Sequence, residues 1–246
     1  RGRQSWGAGK GINIILNEFS PSYDYALFGF DLKNYKFRYF HGFLESRGFS
    51  DPINRYILGR AIEKTNYKNL IFSFSEIIIY QGVNRPLDIS MLSPVGLHTE
   101  IELNNRQNSP GNNQNAVWQF SLDYHTLNRL RFSINYLIDE LTIDTNEINE
   151  GETNLTAFSF KSTYYWGDYN DIKLLTDFSI ETVGTYTFKH FYGMNNFVSR
   201  GKTLGNINGS DFIKQNISFR FENFFKYKFI ISYSKFVSGE NNIVLD

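Results

Sequence analysis

The sequence lacks cysteine, long apolar runs and an excess of charge of either sign. With no cysteine in 246 residues, a disulfide scaffold and a cysteine-ligated metal site are excluded. No apolar run approaches the roughly 18 to 20 residues of a membrane-spanning helix, which excludes a helical span. Because 25 basic residues balance 25 acidic ones, the composition argues against a nucleic-acid partner.

Aromatic residues are abundant instead. They make up 17% of the chain, with 24 Phe and 16 Tyr, yet only 41% of residues are hydrophobic and the mean hydropathy is −0.37. This balance suits strands with one polar face better than a thick soluble core. We expect residues 1–246 to form a single all-β domain. Because the chain begins at Arg1 with neither an initiator methionine nor a signal sequence, we expect a mature piece or a fragment.

The clearest pattern is a pair of alternating runs between Ala116 and Glu140. Apolar residues take every second position, and polar residues dominate the positions between them: Trp118, Phe120 and Leu122 alternate with Gln119, Ser121 and Asp123. A period of two predicts a strand with two different faces, and the short joint at 125–129 predicts an antiparallel hairpin. At about ten residues, each run has the length of a tilted membrane-crossing strand, which needs about 9 to 11 residues.

About 11 such runs occur along the chain, separated alternately by short turns and long loops, as in outer-membrane barrels. The first is Ile12 to Asn17, and the next two are joined by the two-residue turn Lys33-Asn34. Within Asn69 to Tyr80, the apolar parity changes at Glu76, for which we expect a β-bulge. The glycine-rich stretch Gly7 to Gly11 lacks the context of a phosphate loop and is expected to be a flexible turn.

The sequence therefore predicts an all-β fold: an antiparallel transmembrane β-barrel of the outer-membrane type, incomplete and with long loops. The longest loops are 81–115 and 189–213. In the first, we expect Leu87 to Leu97 to be ordered and folded into or over the lumen. A soluble β-sandwich is the structural alternative, because half-buried strands show the same alternation.

A series of short motifs follows in a fixed order along the chain. Taken together, they resemble the Wzi-type capsule-assembly family. The motifs are Gly2-Arg3, Trp6-Gly7-Ala8-Gly9, Phe40-His41-Gly42, Asn54-Arg55-Tyr56, Ser75-Glu76, Ser93-Pro94, Asn104-Asn105-Arg106, Leu137-Ile138-Asp139-Glu140 and Ser199-Arg200-Gly201. The resemblance implies an outer-membrane β-barrel that binds capsular polysaccharide and holds it at the cell surface. The family's barrel is larger, and its best-known member carries a helical bundle near the N-terminus, so the present chain would supply only part of such a barrel.

The sequence offers no catalytic or metal-binding pattern. The four histidines are dispersed, without the spacing of a zinc site, and no serine is recognisably paired with a histidine and an acid. Asp139 and Glu140 point to opposite faces of one strand, so they cannot act together on a glycosidic bond, and we expect Asp139 to face the lumen. We therefore expect a non-enzymatic protein with no catalytic residues, no metal and no cofactor.

Carbohydrate binding is the remaining activity, because sugars are bound by hydrogen bonds to amide and carboxylate groups and by aromatic rings. Candidate residues for binding capsular or other surface polysaccharide are Asn104, Asn105 and Arg106 in the first long loop, and Arg200 and Lys202 in the second. Asn206 is a further candidate for contact with an acidic polymer. The expected setting is the bacterial outer membrane, with outer-membrane lipid around a monomer. The functional alternative is a diffusion porin or a purely structural barrel.

Overall fold

The computed structural model describes residues 2–46, 48, 50–96, 114–126, 129–140, 155–190, 193–223, 227–241 and 243. They form a ten-stranded antiparallel sheet in which successive strands lie side by side, and a separate two-stranded hairpin. The strands of the large sheet are β1 (Asp24–Leu32), β2 (Tyr35–Phe43), β3 (Ile53–Tyr67), β4 (Leu70–Val83), β5 (Gln114–Thr126), β6 (Leu130–Glu140), β7 (Leu155–Tyr169), β8 (Ile172–Val183), β11 (Phe212–Asn223) and β12 (Lys228–Ser238). The small hairpin comprises β9 (Val198–Ser199) and β10 (Lys202–Thr203).

The alternating residues form these strands as expected. Phe120 on β5 is paired with Phe74 on β4 and with Tyr136 on β6, so large apolar residues lie side by side across the sheet. We call the face that carries Phe120 the outer face. The opposite face, which carries Gln119 and Ser121, is the inner face.

The two ends of the sheet differ in their connections. At the turn end, pairs such as β3 and β4 or β7 and β8 are joined by two residues with positive φ: Lys68 and Asn69, then Asn170 and Asp171. Turns of this kind match the twist of a hairpin. At the loop end, the connections are long, and the segment 184–211 between β8 and β11 contains the small hairpin.

The inner face is covered near the loop end. Ile14, Ile15 and Leu16 of the N-terminal segment lie in one apolar cluster with Ile77 and Ile79 of β4. Segment 184–211 contributes Phe188, Phe197 and Leu204 to the same cluster. Two parts of the chain that are distant in sequence therefore close the inner side of the sheet together.

Two local predictions were wrong. Ile12 to Asn17 is not a strand: it forms one isolated bridge, between Leu16 and Trp6, and serves as packing material on the inner face. Glu76 does not mark a bulge, because the β3–β4 and β4–β5 registers run through it without a shift. The apolar residues change parity after Glu76 because Ile77 and Ile79 point to the inner face. Near the loop end, this face is covered by the chain and is apolar.

The placement predicted for Leu87 to Leu97 was also wrong over the residues that are described. Segment 84–96 lies on the outer face rather than in or over the lumen. Its residue Met91 is fully buried among Tyr56, Leu58 and Tyr80, which belong to the outer face of β3 and β4. Segment 84–96 thus covers Tyr56, Leu58 and Tyr80, while Phe28 and Phe30 on the same face remain exposed.

About 11 strands were expected, and the large sheet has ten because the first of them is absent. Within the described residues, the sheet is not closed: β1 pairs only with β2, and β12 pairs only with β11. The all-β antiparallel prediction, including its incompleteness, is confirmed. No helix found in the described ranges is both long enough and apolar enough to cross a membrane.

Candidate functional site

The apolar face of the sheet is exposed and the polar face is buried. On β5, Phe120 is 41% exposed, whereas its polar neighbours Gln119 and Ser121 are 0% and 3% exposed. The same inversion holds along most of the sheet, with Phe28, Phe30, Phe178 and Phe219 exposed on the outer face. A soluble protein buries its apolar face, so this arrangement indicates an apolar environment outside and a polar, filled interior.

The N-terminal segment is bound to the inner face by side chains of the strands. The Asn135 side chain accepts a hydrogen bond from the Ala8 N–H (2.7 Å) and donates one to the Ala8 carbonyl (2.8 Å). The Gln119 side-chain carbonyl accepts from the Ile15 N–H (3.0 Å), and the Ser159 hydroxyl donates to the Ile12 carbonyl (2.7 Å). These bonds pair backbone groups that burial would otherwise leave unsatisfied.

The glycines of this segment allow the close approach. Gly7 and Gly9 have φ values of +126° and +77°, which disfavour residues with a Cβ. A Cβ on Gly9 would lie 2.7 Å from Cβ of Ser133. Gly9 is therefore packed closely against β6, whereas Lys10 and Gly11 form an exposed turn, so the expected turn is present at the end of this stretch.

Nearer the turn end, the inner face is charged. Arg131 binds Asp123 with two nitrogens, and the Ser133 hydroxyl donates to the same carboxylate at 3.1 Å. Asp177 accepts from the Thr163 hydroxyl (2.6 Å) and from Arg220 Nη2 (3.0 Å). A polar cavity of about 320 Å³ lies between this region and the N-terminal segment, with Asp123 and Arg131 in its wall. The charges on this face are thus paired with each other.

Segment 184–211 is anchored by two carboxylates of the inner face. Asp139 accepts from the backbone N–H of Phe188, and Glu181 accepts from the Asn206 side chain at 2.6 Å. Asp139 is 8% exposed and Glu181 is 3% exposed. The prediction that Asp139 faces inward is confirmed, and its function there is to hold the loop.

Arg55 is the main link between this loop and the sheet. Its guanidinium donates to the carbonyls of Met194 (2.7 Å), Asn196 (3.1 Å) and Val198 (3.0 Å), and it pairs with Glu45 at 3.0 Å. Arg55 is 1% exposed. A planar guanidinium suits this task because it presents five donors in a fixed geometry. Loop residues 194–198 are therefore held at three points by one side chain from β3.

The same Glu45 fixes the tip of the small hairpin. It accepts from the Ser199 hydroxyl and from the backbone N–H of Arg200 at 2.9 Å. Arg200 has φ +50° and Gly201 has φ +71°, so the tip is a tight turn with a non-glycine residue in the left-handed region. The side chains of Arg200 and Lys202 are exposed. Two cations thus project from a turn whose backbone is fixed from below.

The pKa of Glu45 reflects these contacts. Its partial burial alone would raise the pKa of the carboxyl group. Hydrogen bonds from Ser199 and the Arg200 N–H, together with the positive charge of Arg55, outweigh burial and hold the pKa below its usual range. Glu45 is therefore ionised at neutral pH and remains available as an acceptor for the hairpin.

The predicted binding residues differ in where they lie. Arg200 and Lys202 lie together, exposed, on the small hairpin at the loop end. Asn104, Asn105 and Arg106 lie outside the described residues. Asn206 was a wrong candidate, because it is 1% exposed and its side chain binds Glu181 and Asn208 inside the loop.

Sequence reasoning missed the residues that build the site from beneath. Arg55 was noted only as part of the motif Asn54-Arg55-Tyr56, and its pairing with Glu45 was not predicted. A basic residue directly before an apolar run, as Arg55 is before Tyr56, Ile57 and Leu58, is a usable signal, because a charge that is buried with such a run needs a partner. The identity of that partner, 139 residues away at Met194, could not be read from the pattern.

The histidines do not gather into a site within the part of the chain that the structure describes. His41 is buried on the outer face, where its ring nitrogens lie 3.2 Å from the Tyr39 hydroxyl and 2.9 Å from the Tyr80 hydroxyl. Among the described residues, no group of three or more histidines and carboxylates is placed to hold a metal ion. His98 lies outside the described residues.

With the architecture established, comparison with solved structures finds a similar molecule. The chain superimposes on Wzi, an outer membrane protein involved in group 1 capsule assembly in Escherichia coli and described as a carbohydrate-binding β-barrel, with a TM-score of 0.72. The match covers 97% of this chain and 54% of that one, at 12% sequence identity. The fold is that of the Wzi barrel.

The similarity to Wzi concerns architecture. The chain spans about half the length of the Wzi chain (54%), which agrees with a sheet that is open at β1 and β12. No protein-family model matches the sequence, and a search of curated proteins finds no match. The resemblance to the Wzi-type family seen in the sequence motifs is therefore supported by the course of the backbone.

Proposed function

We propose that this chain forms the wall of a non-enzymatic outer-membrane β-barrel whose loop end binds acidic surface polysaccharide. One observation carries the membrane part: apolar side chains are exposed on the outer face, while the polar inner face is buried beneath the chain's own N-terminal segment. Lipid on one side and a filled interior on the other would satisfy both faces.

The filled interior is the reason to prefer a binding role over a diffusion porin. A porin needs an open, water-filled lumen. Here Asn135, Gln119 and Ser159 hold the N-terminal segment across the inner face, and segment 184–211 packs beside it. We expect this arrangement to block conduction.

The small hairpin supplies the contact for an acidic polymer in this proposal. Arg200 and Lys202 are exposed cations on a turn fixed by Glu45 and Arg55, so little backbone entropy is lost when a carboxylate binds. Tyr186, in the same loop and 58% exposed, offers an aromatic surface for a sugar ring. The reported carbohydrate binding of Wzi supports the same class of ligand.

Binding of acidic and neutral polysaccharides to folded protein in detergent tests the proposal. The double variant Arg200→Asn/Lys202→Gln removes both charges, and asparagine tolerates the left-handed backbone at position 200. We expect at least tenfold weaker binding of a uronic-acid polymer and a smaller dependence on salt. The control Lys33→Gln, at a turn on the opposite end, should bind as the wild type does. Equal binding by all three proteins, or no binding by the wild type, contradicts the proposal.

A further inference from the structure

Segment 84–96 and the outer face enclose a groove. Its wall is formed by Phe28 of β1, Phe37 of β2, Ile62 of β3 and Phe74 of β4, and its rim by Leu92 and Val95 from the segment. The volume is about 860 Å³, within the range of about 300 to 1,000 Å³ that is typical of small-molecule sites. The groove opens on the exposed apolar face, so it is continuous with the surface that we assign to lipid.

One end of the groove is polar. Arg60 of β3 donates to Glu76 of β4 at 2.7 Å and to the Ser93 carbonyl at 2.9 Å, and Trp118 of β5 donates to Glu76 at 2.8 Å. Arg60 is 6% exposed, and its Nη2 has no hydrogen-bond acceptor among the described residues. A buried guanidinium nitrogen without an acceptor is costly, so a ligand that brings an oxygen acceptor into the groove would be stabilised there.

The polar part and the apolar part of the groove lie one after the other along the strands. Arg60 is paired with Glu76, and two residues further toward the turn end Ile62 is paired with Phe74. Phe37 continues this apolar row and is stacked on Phe30 at 4.6 Å. From the middle of β3 and β4 toward the turn end, the groove therefore changes from hydrogen-bonding to largely apolar. A membrane lipid whose headgroup lies at the loop end has the same order of polarity.

We propose that this groove binds one membrane phospholipid, with an acyl chain along Phe28, Phe37 and Phe74 and an ester oxygen accepting from Arg60 Nη2. The inference rests on the proposed function, since it requires the outer face to lie in a bilayer. Segment 84–96 then covers the bound lipid with Leu92 and Val95, while Met91 anchors the segment in the buried cluster with Tyr56 and Tyr80. The polar pair Arg60 and Glu76 is thereby shielded from the bilayer core.

Native mass spectrometry of protein released from dioleoylphosphatidylcholine bilayers tests the site. Val95 and Ile89 are both 83% exposed on the same segment, but only Val95 lines the groove. We expect one bound lipid for the wild type and for Ile89→Trp, and at least fivefold lower occupancy for Val95→Trp. The double variant Arg60→Met/Glu76→Gln removes the polar end without leaving a lone charge and should also lose the lipid. Equal occupancy in Val95→Trp and Ile89→Trp, or a dimer that Val95→Trp dissociates, overturns the inference.

A second measurement separates this inference from the proposed function. Trp6→Phe/Trp118→Phe leaves Trp166, which is 56% exposed, as the one tryptophan. Its fluorescence should be quenched by brominated phosphatidylcholine if the outer face lies in the bilayer. If Trp166 is quenched but no lipid is retained, the proposed lipid site is overturned and the membrane assignment stands. Absence of quenching overturns the membrane assignment and the groove with it.

Discussion

The side-chain carbonyl of Gln119 accepts a hydrogen bond from the backbone N–H of Ile15, 104 residues earlier in the chain, at 3.0 Å. Both residues are fully buried. A glutamine in the middle of a strand thus serves as a backbone partner for a segment that has no strand of its own. The polar inner face is consequently a binding surface for the N-terminal segment, and its stability should depend on individual polar side chains.

Asn135→Ala should destabilise the protein by about 2 to 3 kcal/mol, because it leaves both backbone groups of Ala8 without partners in a buried place. Urea unfolding in detergent, followed by tryptophan fluorescence and by circular dichroism, measures the change. Asn216→Ala is the matched control, since Asn216 bonds Ser234 in an exposed position and should cost less than about 0.5 kcal/mol. Equal effects of the two variants would show that the segment is not held by Asn135.

Gly9→Ala should be more destabilising than Gly11→Ala. Both glycines have positive φ, +77° and +82°, so both variants carry a similar backbone strain of about 1 kcal/mol. At Gly9, the added Cβ also meets Ser133 at 2.7 Å, whereas nothing lies within 4 Å at Gly11. We expect an additional 1 to 3 kcal/mol for Gly9→Ala from overpacking. Thermal unfolding of both variants measures the difference. Equal midpoint temperatures would contradict close packing at Gly9.

Arg55→Lys should loosen segment 194–203 while leaving the exposed cations in place. A lysine cannot replace the planar donors that reach Met194, Asn196 and Val198 together. Trypsin should then cut at Arg200 and Lys202 at least tenfold faster than in the wild type. Arg38→Lys, which alters an exposed pair with Asp31, is the control and should leave the cleavage rate unchanged. Slow cleavage in Arg55→Lys would show that another contact holds the hairpin.

The hairpin should also loosen in acid. The folded-state pKa of Glu45 is depressed, so the stability it contributes is present above the unfolded value of about 4.3 and is lost as pH falls through the folded value. Hydrogen exchange of the Arg200 and Lys202 amides, corrected for intrinsic rates, should therefore accelerate below about pH 4. In Glu45→Gln, exchange should be faster at neutral pH and should not change across this window. A wild-type profile as flat as that of Glu45→Gln would contradict the role of the carboxylate.

The sheet could be predicted from the sequence because alternation is a local signal. Residues such as Phe120 and Gln119 report their faces directly, and the two-residue turn at Lys33-Asn34 fixes a hairpin without reference to the rest of the chain. The inner packing could not be predicted in this way. Ile12 to Asn17 has the composition of a strand, and only the presence of Gln119 and Asn135 opposite it explains why it stays irregular.

The same limit applies to the site. Arg200 and Lys202 were predicted because a glycine-containing loop with cations is recognisable in sequence, and their placement on a fixed turn agrees with a binding role. The contacts that fix the turn join residues 45, 55 and 199, and no periodicity connects such distant positions. Glu76 was misread for a related reason: its partners Arg60 and Trp118 lie on neighbouring strands.

The most direct test of a lipid-facing outer wall is accessibility along β5. The chain has no cysteine, so single cysteines from Gln119 to Tyr124 can each carry a spin label in bilayers. We expect labels at positions 120, 122 and 124 to collide with oxygen and not with a water-soluble nickel complex, and labels at 119, 121 and 123 to be shielded from both. A label at Phe120 or Leu122 that responds mainly to the nickel complex would contradict the account.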